Sequence, residues 1–285
     1  MTRDGSVETW SSRVEALAEL PEACVSQITE IFSVFPYCVR CPATRGMRAF
    51  EPETYLCQAG QRVLILKRRR ASFERRLFDL EAVDVLETAT TLLASRMTFY
   101  FQNGLKESLL YNTVSLHLFE PIIAAFKECR ARKVPQELQV RSLRPDPFSD
   151  LVQIDFKYHS YAVEVMGDDE LRSRFYHRET AAPRFLAPSR VISSYLLALS
   201  PSMLYGISEE PPFRSRHWAE YSHMTRYVPL AAGPRFAIQS VADEERYAML
   251  VLEVGRTRFQ YPLARASRPA FEKFEGATLA CSTPS

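Results

Sequence analysis

The sequence predicts an α+β fold in which antiparallel strands occur in two successive blocks, each closed by a helix. Short apolar or alternating runs recur in both blocks, which is typical of strands. Asn103-Gly104 lies between two such runs and predicts a tight hairpin, because both residues tolerate positive φ. Helical spacing of large apolar residues at the end of each block, from Val114 to Arg132 and from Pro269 to Phe274, predicts the closing helices.

The first block begins with residues 6 to 33, which are predicted to form two helical pieces separated near Leu20-Pro21. The closing helix has Thr113 as its expected N-cap. Pro121 removes a backbone donor inside this helix and predicts a bend near residues 117 to 121. The strands expected between these helices are Val63 to Leu66, Phe78 to Val85, Met97 to Phe101 and Leu105 to Tyr111.

Charged residues and prolines from 136 to 150 predict a linker between a first domain, residues 1–135, and a second domain, residues 151–285. A helix from Tyr158 to Met166 opens the second block. The repeated order of helix, strands and helix suggests a duplication. The expected strands are Leu171 to Tyr176, Val191 to Leu199, Met203 to Ile207, Met224 to Val228, Arg235 to Val241, Ala248 to Val254 and Thr257 to Tyr261.

Leu92 to Phe101 with Leu109 to Val114, and Leu196 to Ile207 with Tyr227 to Leu230, resemble bacterial pleckstrin-homology-like (PH-like) proteins of unassigned function. The resemblance covers about residues 60–131 and 190–262. It implies two tandem PH-like antiparallel β-barrels or sandwiches, each with flanking helices and a C-terminal helix. It also implies a binding or scaffolding role, and it maps no catalytic residue, because fold alone does not fix function.

Composition sets further limits on the function. Apolar residues make up 46% and charged residues 25% of the chain, as in globular proteins. The longest apolar run, Tyr247 to Leu252, is too short to cross a bilayer, and no signal-peptide pattern follows Arg3, so we expect a cytoplasmic protein. The net charge of +2 is spread evenly along the chain, and we therefore expect no nucleic-acid partner.

The nine glycines are widely spaced, and the closest two are Gly46 and Gly60. Rossmann fingerprints, P-loops and nucleophile elbows all need glycines within a few residues of one another. The sequence therefore excludes these common nucleotide-binding loops and serine-hydrolase elbows.

Cys38 and Cys41, with Cys57 downstream, are the candidate metal group. A structural zinc site usually has four ligands in two close pairs, and only one pair is visible, so reduced thiols without a metal or cofactor are the better interpretation. An alternative function is a metal-assisted enzyme with a site between the two domains, using His217, Glu220 and His223.

The one dense cluster of charge, which we call the basic cluster, is placed by this interpretation on the connection between two strands. Guanidinium groups bind phosphate through paired hydrogen bonds, so the cluster is a candidate site for an anionic lipid headgroup or another phosphate. Charge runs are more often solvated surfaces or guards of edge strands. Its members are Lys67, Arg68, Arg69, Arg70, Arg75 and Arg76.

Together these observations favour a non-catalytic binding or scaffold protein. We expect its ligand to be another protein, bound at exposed sheet edges or between the domains, and an anionic ligand at the basic cluster is the second expectation. The identity of either partner is not encoded in any motif.

Overall fold

The computed structural model describes residues 10–45, 50–91, 94–131, 146–181, 190–209, 213–215, 223–241 and 246–282. It is an α+β structure with antiparallel sheets and a C-terminal helix, which confirms the predicted class. Of the predicted linker, residues 136–145 lie outside the described ranges, and residues 147–150 form turns that lead into a short helix.

The helices are α1 (Glu22–Ile31), α2 (Glu120–Ala131), α3 (Leu151–Ile154), α4 (Phe156–Met166) and α5 (Arg268–Ser282). The strands of the first half are β1 (Ser12–Val14), β2 (Tyr37–Cys41), β3 (Thr44–Arg45), β4 (Phe50–Glu51), β5 (Thr54–Ala59), β6 (Arg62–Arg69), β7 (Ser72–Asp79), β8 (Val83–Thr90), β9 (Ala94–Phe101) and β10 (Lys106–Asn112). Those of the second half are β11 (Ser173–His177), β12 (Thr180–Ala181), β13 (Arg190–Ile192), β14 (Tyr195–Leu199), β15 (Met203–Ser208), β16 (Phe213–Ser215), β17 (His223–Pro229), β18 (Arg235–Ser240), β19 (Tyr247–Val254) and β20 (Thr257–Ala264).

Three larger sheets organise these strands. The N-terminal sheet has the order β1-β2-β5-β6-β7, and the C-terminal sheet has the order β18-β19-β20. Between them the central sheet has the order β10-β9-β8-β17-β15-β14-β11, so its strands come from both halves of the chain. The small sheets are β12-β13-β16 and β3-β4.

The sheets are open, and the prediction of closed barrels is wrong in this respect. A barrel in the first half would need its two sheets to join, but β7 ends one sheet and β10 ends the other. The strand β8 pairs instead with β17 of the second half. The first half therefore does not close into a barrel of its own, and its strand β8 pairs with a strand of the second half instead.

The two faces of the central sheet are buried against different neighbours. One face packs with α2, α4 and the N-terminal sheet, in a core that includes Phe99, Phe126 and Tyr158. The other face packs on the C-terminal sheet and α5, with Phe271 and Phe274 in the core. Full burial of each such side chain stabilises the fold by about 1.5 to 3 kcal/mol, so these layers hold the halves together.

The seam between β8 and β17 contains a buried ion pair on the face toward the C-terminal sheet. Arg226 Nε donates to Glu87 at 2.8 Å, and another of its nitrogens donates to the Tyr261 hydroxyl at 2.9 Å. Burial would lower the pKa of Arg226, but Tyr261 and Glu87 outweigh it and hold that pKa above its ordinary value. A Cβ on the neighbouring Gly206 would lie 2.7 Å from the Tyr261 hydroxyl, so glycine leaves room for this network.

Local predictions fare well with four exceptions. Two predicted strands are divided: Phe78 to Val85 by the 3-10 helix Leu80–Ala82, and Val191 to Leu199 at residues 193 and 194, which separate β13 from β14. The hairpin between β9 and β10 is present, with Gly104 at φ +83°. A 3-10 helix (Thr113–Leu118) precedes α2, which agrees with the expected break near Pro121, but Asn112 caps it rather than Thr113. The first predicted helical piece is also wrong, because Ser12–Val14 pairs with β2 as a strand.

Candidate functional site

The basic cluster lies on the hairpin formed by β6 and β7. Strand β6 ends at Arg69 and β7 begins at Ser72, so only Arg70 and Ala71 form the turn between them. The expectation of a basic loop is therefore corrected: five of the six basic residues lie on strands. Alternating side chains on a strand point to opposite faces, which divides the cluster between two surfaces.

On one surface, carboxylates of β7 and β10 face the cluster. Lys67 forms an ion pair with Glu107, and its Nζ also donates to the Ser108 carbonyl at 2.7 Å. Arg69 and Arg76 each contact Glu74 at 3.1 Å. These cations therefore have anionic neighbours within the fold.

On the other surface, Arg68 contacts Glu53 at 2.7 Å and Arg75 contacts Glu30 of α1 at 3.0 Å. Glu53 is buried and also accepts from Arg40 at 2.7 Å. Burial would raise the pKa of Glu53, but the hydrogen bonds from Arg40 and Arg68 outweigh it and lower that pKa. Glu53 thus stays ionised and compensates both guanidinium groups.

Arg70 is the exception in the basic cluster. It occupies the turn with φ +56°, and within the described ranges no carboxylate lies at ion-pair distance from it. The cluster thus presents one uncompensated cation at the hairpin tip rather than six.

The cysteine group does not assemble. Cys38 and Cys57 face each other across β2 and β5 with their sulfurs 3.3 Å apart, next to Cys24 in the core under α1. Cys41 is three positions from Cys38, so it points to the opposite face and belongs to another core. Burial raises the pKa of Cys24 and of Cys41 to about 12, which favours the neutral thiol.

Metal ligation finds no support in the part of the chain that the structure describes, where no three His, Cys, Asp or Glu side chains come together as a possible metal site. All six cysteines are free thiols. His217 and Glu220 lie outside the described residues, whereas His223 lies on β17 and faces α2 and α4. Of the three residues expected to serve a metal-assisted enzyme, the structure therefore describes only His223.

An apolar groove, which we call the edge groove, separates the edge strands β7 and β10. Its volume is about 480 Å³. Leu77 of β7 is 46% exposed and Leu105, just before β10, is 65% exposed. Phe78 and Phe101 form its floor with their ring centroids 4.9 Å apart.

Charge around the edge groove is positive on balance. Arg76 and Lys106 are exposed at its rim. Arg76 contacts Glu74 at 3.1 Å and Glu107 at 3.9 Å, and Glu107 is also paired with Lys67, so Lys106 is the rim cation without a described carboxylate at ion-pair distance. The sequence prediction did not include this groove. Its signal was the adjacent pair Leu77-Phe78 in an otherwise charged strand, since charged neighbours indicate a solvated edge strand, on which an apolar side chain is left exposed.

Comparison with models of known protein families gives no match for this chain, and comparison with curated proteins gives none either. No helix in the described ranges is both long and apolar enough to cross a membrane. The functional argument therefore rests on the geometry of the chain itself.

Proposed function

We propose that this chain is a non-catalytic binding protein of two PH-like units, and that it takes an extended segment of a partner protein along the edge groove. The order of elements supports the two units. In each half, four main antiparallel strands are followed by a three-stranded meander and a helix: β2, β5, β6 and β7 before β8–β10 and α2, then β11, β14, β15 and β17 before β18–β20 and α5.

The observation that carries the proposal is an apolar groove bounded by two sheet edges. Edge strands present free backbone donors and acceptors, which an extended peptide pairs with when it adds to a sheet. Exposed Leu77 and Leu105 offer apolar contacts for alternate side chains of such a peptide. A groove with these features binds a strand through its backbone and selects it through its side chains.

The charged residues at the rim of the edge groove determine which partner segments bind there. Lys106 flanks the apolar floor with no described carboxylate at ion-pair distance, whereas Arg76 contacts Glu74 and Glu107, and Glu107 is also paired with Lys67. Complementary potential favours a partner segment that alternates apolar and acidic residues. The basic cluster gives weaker support to an anionic ligand of its own, because five of its six cations already face carboxylates.

A random-peptide display selection against the whole protein tests this function, with affinities of selected peptides measured by fluorescence anisotropy. We expect selected peptides to alternate apolar and acidic residues. The double variant Leu77→Lys/Leu105→Lys should weaken their binding at least tenfold, which corresponds to about 1.4 kcal/mol. Val114→Lys changes an equally exposed apolar residue outside the groove and should leave binding unchanged.

Two outcomes would contradict the function. One is a selection that enriches no peptide. The other is a set of selected peptides that bind the double variant and the wild-type protein equally well while circular dichroism shows both to be folded.

A further inference from the structure

A second concave site, which we call the seam cleft, opens over the junction of β8 and β17. It lies on the face of the central sheet that α2 and α4 cover, and its volume is about 200 Å³. Since a water molecule takes up about 30 Å³, the cleft has room for about seven waters or one small organic molecule. It is separate from the edge groove and shares no lining residue with it.

The floor of the seam cleft is polar where a core face is expected. Thr88 lies opposite Thr225, and Thr90 lies opposite His223, in the register of the two strands. The next pair along the same face, Leu86 and Tyr227, is part of the apolar core. Four polar side chains from two halves of the chain therefore meet at one point of this face.

Thr225 gives the most direct evidence for a ligand in the seam cleft. The residue is 1% exposed, it lines the seam cleft, and its hydroxyl has no hydrogen-bond partner among the residues that the structure describes. A buried hydroxyl without a partner destabilises a protein, so such groups are uncommon unless something outside the chain satisfies them. Thr225 therefore offers hydrogen bonding to a molecule in the cleft.

The walls of the seam cleft are acidic. Glu120 at the start of α2 and Glu164 of α4 both line it, and neither forms an ion pair with any described residue. The cation that lines the cleft, Lys127, is held by Asp169 at 2.9 Å and by the carbonyl oxygens of Val165 and Met166. The uncompensated charge in the cleft is therefore negative.

The floor of the seam cleft also carries two titratable groups, Tyr227 and His223. Burial raises the pKa of Tyr227, and nearby Tyr111, Glu164 and Glu120 add to that rise. Burial also lowers the pKa of His223, whose ring stacks on Tyr161 with centroids 4.2 Å apart. At neutral pH the floor is thus uncharged, and the carboxylates above it decide the sign of the ligand.

We propose that the seam cleft binds a small organic cation, with an ammonium group between Glu120 and Glu164 and a hydroxyl group at Thr225. Leu116, Ile123 and Val165 supply the apolar walls against which its body packs. The ligand class is thus a compact hydroxylated amine. Because the floor strands belong to different halves, occupation of the cleft also links the two halves.

Binding of defined probes tests the proposal, using the whole chain. Tyramine, 5-aminopentanol and ethanolamine carry an ammonium and a hydroxyl group at different spacings, and 4-hydroxyphenylacetate and 4-ethylphenol are the anionic and uncharged analogues of tyramine. We expect at least one amine to raise Tm and to bind in calorimetry with a Kd below about 1 mM. The two analogues should bind at least tenfold more weakly than tyramine binds, because they lack the cation.

Substitutions of residues that line the seam cleft test whether the probe binds there. Glu120→Gln/Glu164→Gln should weaken amine binding about four- to tenfold, as expected for partly exposed charge pairs. Thr225→Val should weaken it about five- to tenfold, because it removes the buried hydroxyl and keeps the shape of the side chain. Glu128→Gln removes one carboxylate charge from α2 outside the cleft and should leave the affinity unchanged.

The proposal is overturned by any of three results. The first is that none of the amines binds with a Kd below about 1 mM. The second is that tyramine binds and its carboxylate analogue binds equally well. The third is that the Glu120→Gln/Glu164→Gln and Thr225→Val proteins, with wild-type circular dichroism, bind amines as tightly as the wild type.

Discussion

The seam between β8 and β17 has two faces that treat buried polar groups in opposite ways. On the face toward the C-terminal sheet, Glu87 and Arg226 are paired, and Tyr261 completes the hydrogen bonding. On the face toward α2 and α4, Thr88 and Thr225 lie opposite each other, and within the described ranges the Thr225 hydroxyl has no hydrogen-bond partner. The same two strands therefore carry a satisfied network on one side and free hydrogen-bonding capacity on the other.

This difference gives the two faces of one pair of strands different roles, structural on one face and binding on the other. Removing one member of a buried ion pair leaves an uncompensated charge, so the first face holds the register between the halves. A hydroxyl that the chain does not satisfy gains from an added partner, so the second face is suited to a ligand. Substitutions on the two faces should consequently shift stability in opposite directions.

The largest expected effect is on the paired face. Arg226→Ala leaves Glu87 charged and buried, and we expect it to lower the free energy of unfolding by about 3 to 5 kcal/mol. Urea denaturation followed by circular dichroism measures this loss. Arg258→Ala removes an exposed arginine that pairs with Glu253, and it should cost less than about 1 kcal/mol. Similar losses in both variants would remove the distinction between a buried and a surface pair.

A smaller effect comes from His177, which lies on the same side of the central sheet as Arg226. Its Nε2 accepts the Ala264 N–H at 3.1 Å, and burial lowers its pKa from 6.5 to about 4. Between these two pH values the unfolded chain binds a proton that the folded chain does not. The free energy of unfolding should therefore fall as pH falls from about 6.5 to 4, by at most about 3 kcal/mol from this group.

Denaturation of the wild type and of His177→Gln across this pH range isolates the contribution of His177. The difference between the two proteins should shrink toward pH 4, because the wild type loses its advantage there. His223→Gln is the matched change on the cleft face, and it should alter the pH dependence less, since the lowering of the pKa of His223 is smaller. A pH dependence that His177→Gln leaves intact would count against a neutral buried His177.

The smallest effect has the opposite sign. Thr225→Val removes an unsatisfied buried hydroxyl, and we expect it to raise the free energy of unfolding by about 1 kcal/mol, or Tm by about 2 to 4 °C. Thr98→Val is the control, because Thr98 is equally buried but bonds the Ser108 hydroxyl at 3.0 Å. That variant should lower Tm. If both variants lower Tm, Thr225 is satisfied in solution and the contrast between the faces fails.

Local structure was largely predictable because it depends on residues close in the sequence. Alternation and apolar runs gave most strands, and Asn103-Gly104 gave the hairpin. Ser12–Val14 was missed because a three-residue strand has too little alternation to distinguish it from a helical turn, and its pairing with β2 is a tertiary contact.

The sites were less predictable, because they depend on contacts between residues that are far apart in the sequence. The carboxylates that compensate Arg68 and Arg75 lie 15 and 45 positions away, so no local pattern within the basic cluster indicates them. Glu87, Thr88 and Thr90 make this end of β8 polar, which is typical of a strand that reaches solvent. Helices α2 and α4 cover the face that carries Thr88 and Thr90, and no local pattern records this.

The central sheet also has a consequence for biosynthesis. Glu87 and Arg226 are 139 positions apart, so the edge of β8 emerges from the ribosome long before β17 exists to cover it. At about 5 to 20 residues per second, this interval lasts roughly 7 to 28 s. During that time the nascent chain carries a bare strand edge, and premature release or stalling would leave a fragment prone to pair with its own copies.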